Sequence, residues 1–269
     1  MNDAVERAIA CIWERYEEQL SLADIAESAK LSRFHFSRTF KECTGVSPFR
    51  FLSAVRMYHA KRMLATTPVK VTDTAFAVGY NSLGSFTNHF TNSVGLSPSR
   101  FRRLGQDGRF EPPDMPRTPS RQGCRLSGHI IVPPDCARAR VYLGVFSSPI
   151  MECRPVVAGF VDVTAPARPA AYRLPACVPE GTWFVHAVAV VDSLDPEPWT
   201  RRTVLVNDLQ QVRASDSGTL GLDITLRPRR KMDLPILLAL RDLEPGPAAG
   251  ADADARHGAE QAASELATV

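Results

Sequence analysis

The chain has 269 residues, 44% hydrophobic and 23% charged, which is length for two domains with cores of their own. Its 32 Lys+Arg against 29 Asp+Glu leave a net charge of +3, and no apolar run reaches membrane-spanning length, so a membrane partner is not expected. The charge is unevenly placed: residues 1–110 carry 15 Lys+Arg against 10 Asp+Glu and the remainder 17 against 19, so the basic excess lies in the first part, as an anionic partner such as nucleic acid requires.

The opening MNDAVERAIACIWERY lacks the apolar h-region of a signal peptide, and a cytoplasmic protein is expected. Over about Ala4 to Tyr16 the residues Val5, Ala8, Ile9, Ile12, Trp13 and Tyr16 recur at helical spacing, so Trp13 reads as core. Ser21 then opens a short amphipathic helix, Leu22 to Ala29, in which Ala26 is small enough for a second helix to cross closely.

The next stretch, Leu31 to Phe51, is the organising one, because it recurs fifty residues later. LSRFHFSRTFKECTGVSPFRF is answered by SLGSFTNHFTNSVGLSPSRF, with Phe36, Phe40, Gly45, Ser47, Pro48 and Phe51 matched by Phe86, Phe90, Gly95, Ser97, Pro98 and Phe101. In each copy a serine (Ser32, Ser82) suits an N-cap, a glycine (Gly45, Gly95) suits a left-handed helix stop, and a Ser-Pro pair suits the start of the following helix. At about 100° per residue, Phe40 and Cys43 fall within about 40° of Phe36 and form the expected buried stripe. Phe34, Ser37, Arg38 and Lys41 lie between about 100° and 200°, on a polar and basic face whose arginine and serine suit base edges and whose lysine suits phosphate.

Before the second copy, Thr72 to Val78 repeats the short helix, with Ala75 in the place of Ala26 and Gly79 in the turn. Two short helices joined by a tight turn, the second with an exposed polar face, make a helix-turn-helix unit, and the sequence contains two. The segments LADIAESAKLSRFHFSRTFKECTGVSPFRFL, RMYHAKRMLATTP and TDTAFAVGYNSLGSFTNHFTNSVGLSPSRFRR together resemble the DNA-binding domain of the AraC/XylS family of transcription regulators over Met1 to about Leu104. The resemblance implies seven helices, with a long one over about Pro48 to Leu64 holding the two units apart. At ~1.5 Å per residue such a helix spans about 27 Å, toward the ~34 Å of one DNA turn. Its inner stripe is Phe51, Val55 and Tyr58, and Arg50, Arg56, Lys61 and Arg62 are candidate phosphate contacts or plain surface.

From these residues double-stranded DNA is the expected partner. Arg33, Phe34, Ser37 and Arg38 are expected at bases in the first groove with Lys41 on phosphate. Gly84, Ser85, Thr87 and Asn88 are expected in the second groove. That second face carries no charge, whereas the family commonly has arginine or lysine at positions matching Asn88, Thr91 or Asn92; the first unit is therefore expected to anchor and the second to discriminate. Arg100, Arg102 and Arg103, at the start of the last helix, suit phosphate clamping.

Gly105 to Gly123 is proline-rich and without periodicity, a linker. Beyond it, about residues 124–245, the pattern changes to short runs rich in β-branched and aromatic residues: LSGHIIV, ARVYLGVF, VVAGFVDV, AYRL, TWFVHAVAVV, RTVLV, LGLDITL and PILLAL. Turn clusters such as Pro133-Pro134-Asp135 and Asp216-Ser217-Gly218 separate them, and an antiparallel β-sandwich is expected. The phrase Ala171 to Ala189 is locally similar to transthyretin-like and carboxypeptidase-regulatory-like sandwich modules. The predicted fold class is thus α then β: a tandem helix-turn-helix domain at 1–104, a linker at 105–123, a β-sandwich at 124–245 for sensing, association or interaction, and a disordered tail at 246–269.

No catalytic residues, metal ligands or cofactor are expected. The six cysteines, Cys11, Cys43, Cys124, Cys136, Cys153 and Cys177, form no CxxC pair and read as reduced buried thiols. His129 and His186 stand singly in strands, Trp183 and Tyr172 read as core, and no nucleophile-elbow or phosphate-cradling glycine motif is present. Trp199, beside Arg201 and Arg202, is the better candidate for an exposed contact, and the basic run Arg227 to Lys231 reads as a solvated turn in preference to a contact with flanking DNA. RNA polymerase and an unidentified small-molecule effector are expected as further partners, with oligomeric state, operator and sign of regulation open. Two other readings stand beside the regulator: a ligand- or carbohydrate-binding sandwich whose output is DNA binding, and a nonspecific DNA-architectural protein.

Overall fold

The computed structural model describes residues 2–107, 122–134, 136, 139–164, 168–192, 202–230 and 232–239. Most of the expected linker, Trp199 with Arg201, and the expected tail at 246–269 lie outside the described residues.

Seven helices come first: α1 (Asn2–Glu14), α2 (Leu22–Ser28), α3 (Arg33–Thr44), α4 (Pro48–Thr66), α5 (Val71–Ala77), α6 (Leu83–Val94) and α7 (Pro98–Asp107). Local chemistry fixes their ends. Ser21 and Asp24 cap α2 reciprocally, the Ser21 hydroxyl accepting from the Asp24 N–H at 3.3 Å and the Asp24 carboxylate from the Ser21 N–H at 2.8 Å. Ser47 and Ser82 accept from the N–H groups of Arg50 and Ser85, satisfying donors that the first turn leaves open. Ser32 holds the same N-cap place before α3 but makes no such bond. Gly45 and Gly95 end α3 and α6 at φ of 79° and 87°, a conformation that only glycine adopts without steric cost.

The repeat appears in space as two aromatic triads. Phe36 meets Phe40 at 5.4 Å and Phe40 meets Phe51 at 5.6 Å between ring centroids. Phe86, Phe90 and Phe101 repeat the arrangement at 5.6 Å and 5.6 Å. All six rings are buried, each contributing about 1.5–3 kcal/mol through removal of apolar surface from water. Cys43 corrects the predicted stripe: it is exposed, and Thr39 and Thr44 are buried instead. Thr44 turns its hydroxyl to the Phe40 and Val46 carbonyls. Cys153 is also exposed and Cys177 is half-buried, so three of the six thiols depart from the buried expectation.

The strand-rich region holds β1 (Cys124–Ile131), β2 (Ala139–Phe146), β3 (Val157–Val163), β4 (Ala170–Val178), β5 (Gly181–Asp192), β6 (Arg202–Asn207), β7 (Gln210–Ala214), β8 (Thr219–Gly221) and β9 (Ile224–Pro228). They form one hydrogen-bonded path, β3-β2-β5-β6-β9-β1-β4, with β7 on β5 and β8 on β1. The path curls until its ends meet, Gly159 of β3 lying against Leu174 and Pro175 of β4, so the sheet is nearly closed around Leu126, Ile130, Val141, Leu143, Val185 and Ile224. It is not purely antiparallel, because β1 pairs in parallel with β8 and β9. Strands so distant in sequence need no hairpin, and the rule that short turns impose antiparallel pairing does not reach them.

The predicted strand PILLAL is not one. Ile236 makes a single bridge to Met151, and Leu237, Leu238 and Ala239 are fully buried. Leu237 and Ala239 join Ile150, from the β2–β3 connection, inside the core of the helices. A run apolar at every position has no solvent face, and here it is covered on one side by the sheet and on the other by helices.

Candidate nucleic-acid interface

The second helix of each unit, α3 or α6, is mounted by the short helix before it. In the first unit the Leu31 N–H closes the turn onto the Ala26 carbonyl at 3.1 Å, and in the second the Tyr80 N–H does the same to Ala75 at 3.0 Å. The residue that turns the chain is Lys30, at φ 57°, in one unit and Gly79, at φ 82°, in the other. The same left-handed turn is thus built once with glycine and once against a side-chain cost of about 1–2 kcal/mol.

Along α3 the predicted face is open. Arg33, Phe34, Arg38 and Lys41 are exposed, Ser37 is half-buried, and Phe34 is, among the described residues, the least covered large apolar group at 89%. Arg38 lies 2.9 Å from Glu42 one turn on, both groups well exposed, a pairing weak enough in water to exchange for another anion. Along α6, Gly84, Ser85 and Asn88 are exposed and Thr87 is half-buried. Ser85 is engaged locally, its hydroxyl accepting from Ser82 at 3.0 Å. His89, beside this face, turns inward to the Tyr80 hydroxyl and Ser53, and burial pushes its pKa below the ordinary histidine range.

In the chain α4 separates α3 from the second unit, and its 19 residues at ~1.5 Å give about 28 Å. Of its basic residues Arg50 and Arg62 are exposed, Arg56 is half-buried and Lys61 is buried, and three of the four have partners within the protein. Arg56 donates to the Tyr16 and Glu18 carbonyls, both at 2.7 Å, and so ties α4 to the α1–α2 loop. Lys61 is buried and reaches the Leu238 carbonyl at 3.2 Å. Arg50 reaches Glu152 at 2.6 Å and Ser148 at 2.9 Å. Arg62 remains exposed.

At α7, Arg100 and Arg103 are exposed, but Arg102 departs from the predicted cluster. Its guanidinium turns inward and donates to the Val69 carbonyl in the α4–α5 connection. The sequence showed three arginines near a helix start; it did not show that the middle one has a carbonyl behind it.

Away from this face, Tyr172 donates to the Leu222 carbonyl and Trp183 to the Pro179 carbonyl, both at 2.8 Å, as core residues with a satisfied polar end. His129 lies 3.2 Å from Asp223, and His186 packs edge-on against Phe146, with burial pushing its pKa to about 4. In the basic run, Arg227 and Arg229 are not solvated: Arg227 is held between Asp208 and Asp233, and Arg229 lies over the Tyr58 ring, while Arg230 is exposed. Among the described residues no group of three or more His, Cys, Asp or Glu is placed to hold a metal, and no helix is long and apolar enough to cross a membrane.

Residues 25–104 match the helix-turn-helix domain family. The chain is similar to the lactose operon transcription activator of Staphylococcus xylosus, 31% identical over 102 residues that are 38% of this chain and 37% of that protein. It is similar also to the melibiose operon regulatory protein of Escherichia coli K12, 29% identical over 105 residues, 39% of this chain and 35% of that one. The chain thus spans little more than a third of the length of these relatives. Among solved structures, the DNA-binding domain of AdpA in complex with a target DNA aligns at 30% identity and a TM-score of 0.38, covering 39% of this chain and 95% of that one. An AraC-type DNA-binding domain-containing regulator from Chromobacterium violaceum aligns at 25% identity and 0.37, covering 38% and 92%. The N-terminal region is an AraC-type helix-turn-helix DNA-binding domain.

Proposed function

We propose that this protein is a cytoplasmic transcriptional regulator that binds double-stranded DNA in a sequence-specific way, with α3 and α6 entering two successive major-groove segments. The observation that carries the reading is the pair of exposed polar faces, on α3 and α6, each the second helix of a helix-turn-helix unit, with α4 joining the two units in the chain. Arg33, Phe34, Ser37 and Arg38 face bases in the first segment and Lys41 meets phosphate. Gly84, Ser85, Thr87 and Asn88 face the second. Arg100 and Arg103 remain as phosphate contacts, while Arg102 serves the helical packing. Because α3 exposes three cations and α6 none on its reading face, the first unit supplies most of the phosphate neutralisation and hence of the salt dependence.

In this reading residues 1–104 form the DNA-binding domain, 105–123 connect, and 124–245 form a strand-rich module for sensing, self-association or contact with RNA polymerase, followed by a tail at 246–269. Selection of bound duplexes from a random pool with the full chain tests it. An asymmetric motif in two parts, about one helical turn apart, is expected. Binding without any recoverable motif supports a nonspecific architectural protein instead and refutes the reading.

A further inference from the structure

The strand-rich region meets the two helix-turn-helix units unequally. At the end of α3 its contact is apolar, Leu209 and Pro149 lying beside Gly45, and the polar contact with the first repeat falls five residues on, at Arg50 in the first turn of α4. At the second it makes backbone hydrogen bonds to the end of the recognition helix itself. The Cys153 N–H donates to the Ser93 carbonyl at 2.9 Å and the Ala239 N–H to the Val94 carbonyl at 3.2 Å. The last carbonyls of a helix have no partner within it, and in the repeat Ser93 and Val94 correspond to Cys43 and Thr44 of α3. Among the described residues no N–H of the strand-rich region donates to those two.

The two donors are held from several sides. Ile150, three residues before Cys153, and Leu237, two before Ala239, are fully buried within the helical core. The Leu237 and Leu238 N–H groups both bond the Met151 carbonyl, at 2.9 Å and 3.0 Å, which joins the two donor segments to each other. Glu152, its side chain only 11% exposed, then takes Arg50 from the first turn of α4 and the Ser148 hydroxyl, at 2.6 Å and 3.2 Å. The end of α6, the start of α4 and the two connections of the strand-rich region therefore form one hydrogen-bonded corner.

We propose that the strand-rich region is a brace for the second recognition helix: by capping the end of α6 it sets the orientation in which α6 meets DNA, so that discrimination at the second segment depends on its seating and discrimination at the first does not. The proposal rests on the two-segment reading above. Its physical motive lies in the charge pattern. A helix with Arg33, Arg38 and Lys41 exposed is drawn to its groove by phosphate attraction, which tolerates small errors of angle. A face of Gly84, Ser85, Thr87 and Asn88 has only short-range contacts, which are lost with small displacements and gain most from being held in place beforehand. Glu152 is thus a positioning residue that acts on DNA through α6.

The test uses the full chain and three duplexes taken from the selected motif: intact, with the first part scrambled, and with the second part scrambled. In Glu152→Ala, the ratio of affinities for the intact and second-scrambled duplexes is expected to fall about fivefold or more, while affinity for the second-scrambled duplex and the salt slope stay within about twofold of the parent. The charge-reversed pair Arg50→Glu with Glu152→Arg is expected to recover at least part of the ratio. Ala239→Pro, which deletes one donor N–H directly, is expected to repeat the loss, and slow amide exchange retained in α3 shows that the fold is kept. An unchanged ratio in both Glu152→Ala and Ala239→Pro overturns the brace, as does an equal loss at both segments. A parent chain that fails to discriminate either segment overturns the two-segment reading, and the brace with it.

Discussion

Replacing Gly84 by alanine should strengthen the fold and weaken the reading of DNA. Gly84 is the second residue of α6, just after the Ser82 cap and Leu83, and it is exposed. A β-carbon built there meets nothing within 4 Å, so the fold has no steric objection to it. Alanine loses less backbone entropy on entering a helix, and the gain for an exposed position near a helix start is about 0.5–1 kcal/mol. In the groove the same methyl stands on the first turn of the recognition helix, where backbone and bases come closest. The expected penalty is confined to the second segment and comparable to one mismatched base pair, about 1–3 kcal/mol. Urea unfolding followed by circular dichroism measures the first effect, and titration of the intact and second-scrambled duplexes measures the other. A lower unfolding midpoint refutes the account of open space around Gly84. An unchanged affinity ratio refutes its placement against the bases.

Arg38→Ala should weaken specific binding by about 1–3 kcal/mol and relax the preference at one base of the first segment, with little change in stability because both Arg38 and Glu42 are exposed; unchanged selection and affinity refute the base contact. Arg103→Ala should lower the slope of log affinity against log salt by about one without changing the motif, whereas Arg102→Ala should lower the unfolding midpoint, since its guanidinium holds the Val69 carbonyl; the opposite assignment of the two effects refutes the inward placement of Arg102. Stability should fall as pH drops from about 6.5 towards 4. Burial, with Arg62 adding to it at His59, pushes His59 and His186 to about 4, below the ordinary 6.5, so the unfolded chain takes up protons before the folded one and the stabilisation present above 6.5 is lost on acidification. Unfolding midpoints that are equal at pH 7 and pH 5 refute this, and His59→Phe should reduce the dependence.

Much of the reading surface was legible because its causes are local. A serine, a helical turn with two phenylalanines, a glycine and a Ser-Pro pair specify where a helix begins and ends from within about twenty residues, and the repeat states this twice. The open faces of α3 and α6 followed from the angle to those phenylalanines. The same argument misplaced Cys43, which shares the direction of the buried Thr39 and Phe36 but stands in the last turn of α3, because a helix's period gives the direction of its core face and not how far along the axis that face stays covered. Lys30 escaped notice for a similar reason: it fills the turn position that Gly79 fills in the other unit, and nothing in its side chain announces a left-handed backbone.

What the sequence determined by itself, then, is the pair of units and the faces they expose. The tertiary structure decided what the cations do. Arg50, Lys61 and Arg102 look alike in sequence to Arg38 and Arg103, and they differ only in what stands opposite: Glu152 and the Leu238 carbonyl from the strand-rich region, and the Val69 carbonyl from the α4–α5 connection. A helix period carries no information about an acceptor 102 or 177 residues away. The run PILLAL is the same case among apolar residues. Its composition gave burial, and only the packing of two regions against each other could say that it lies between helices and sheet, because burial is a property of both partners and a sequence pattern describes one.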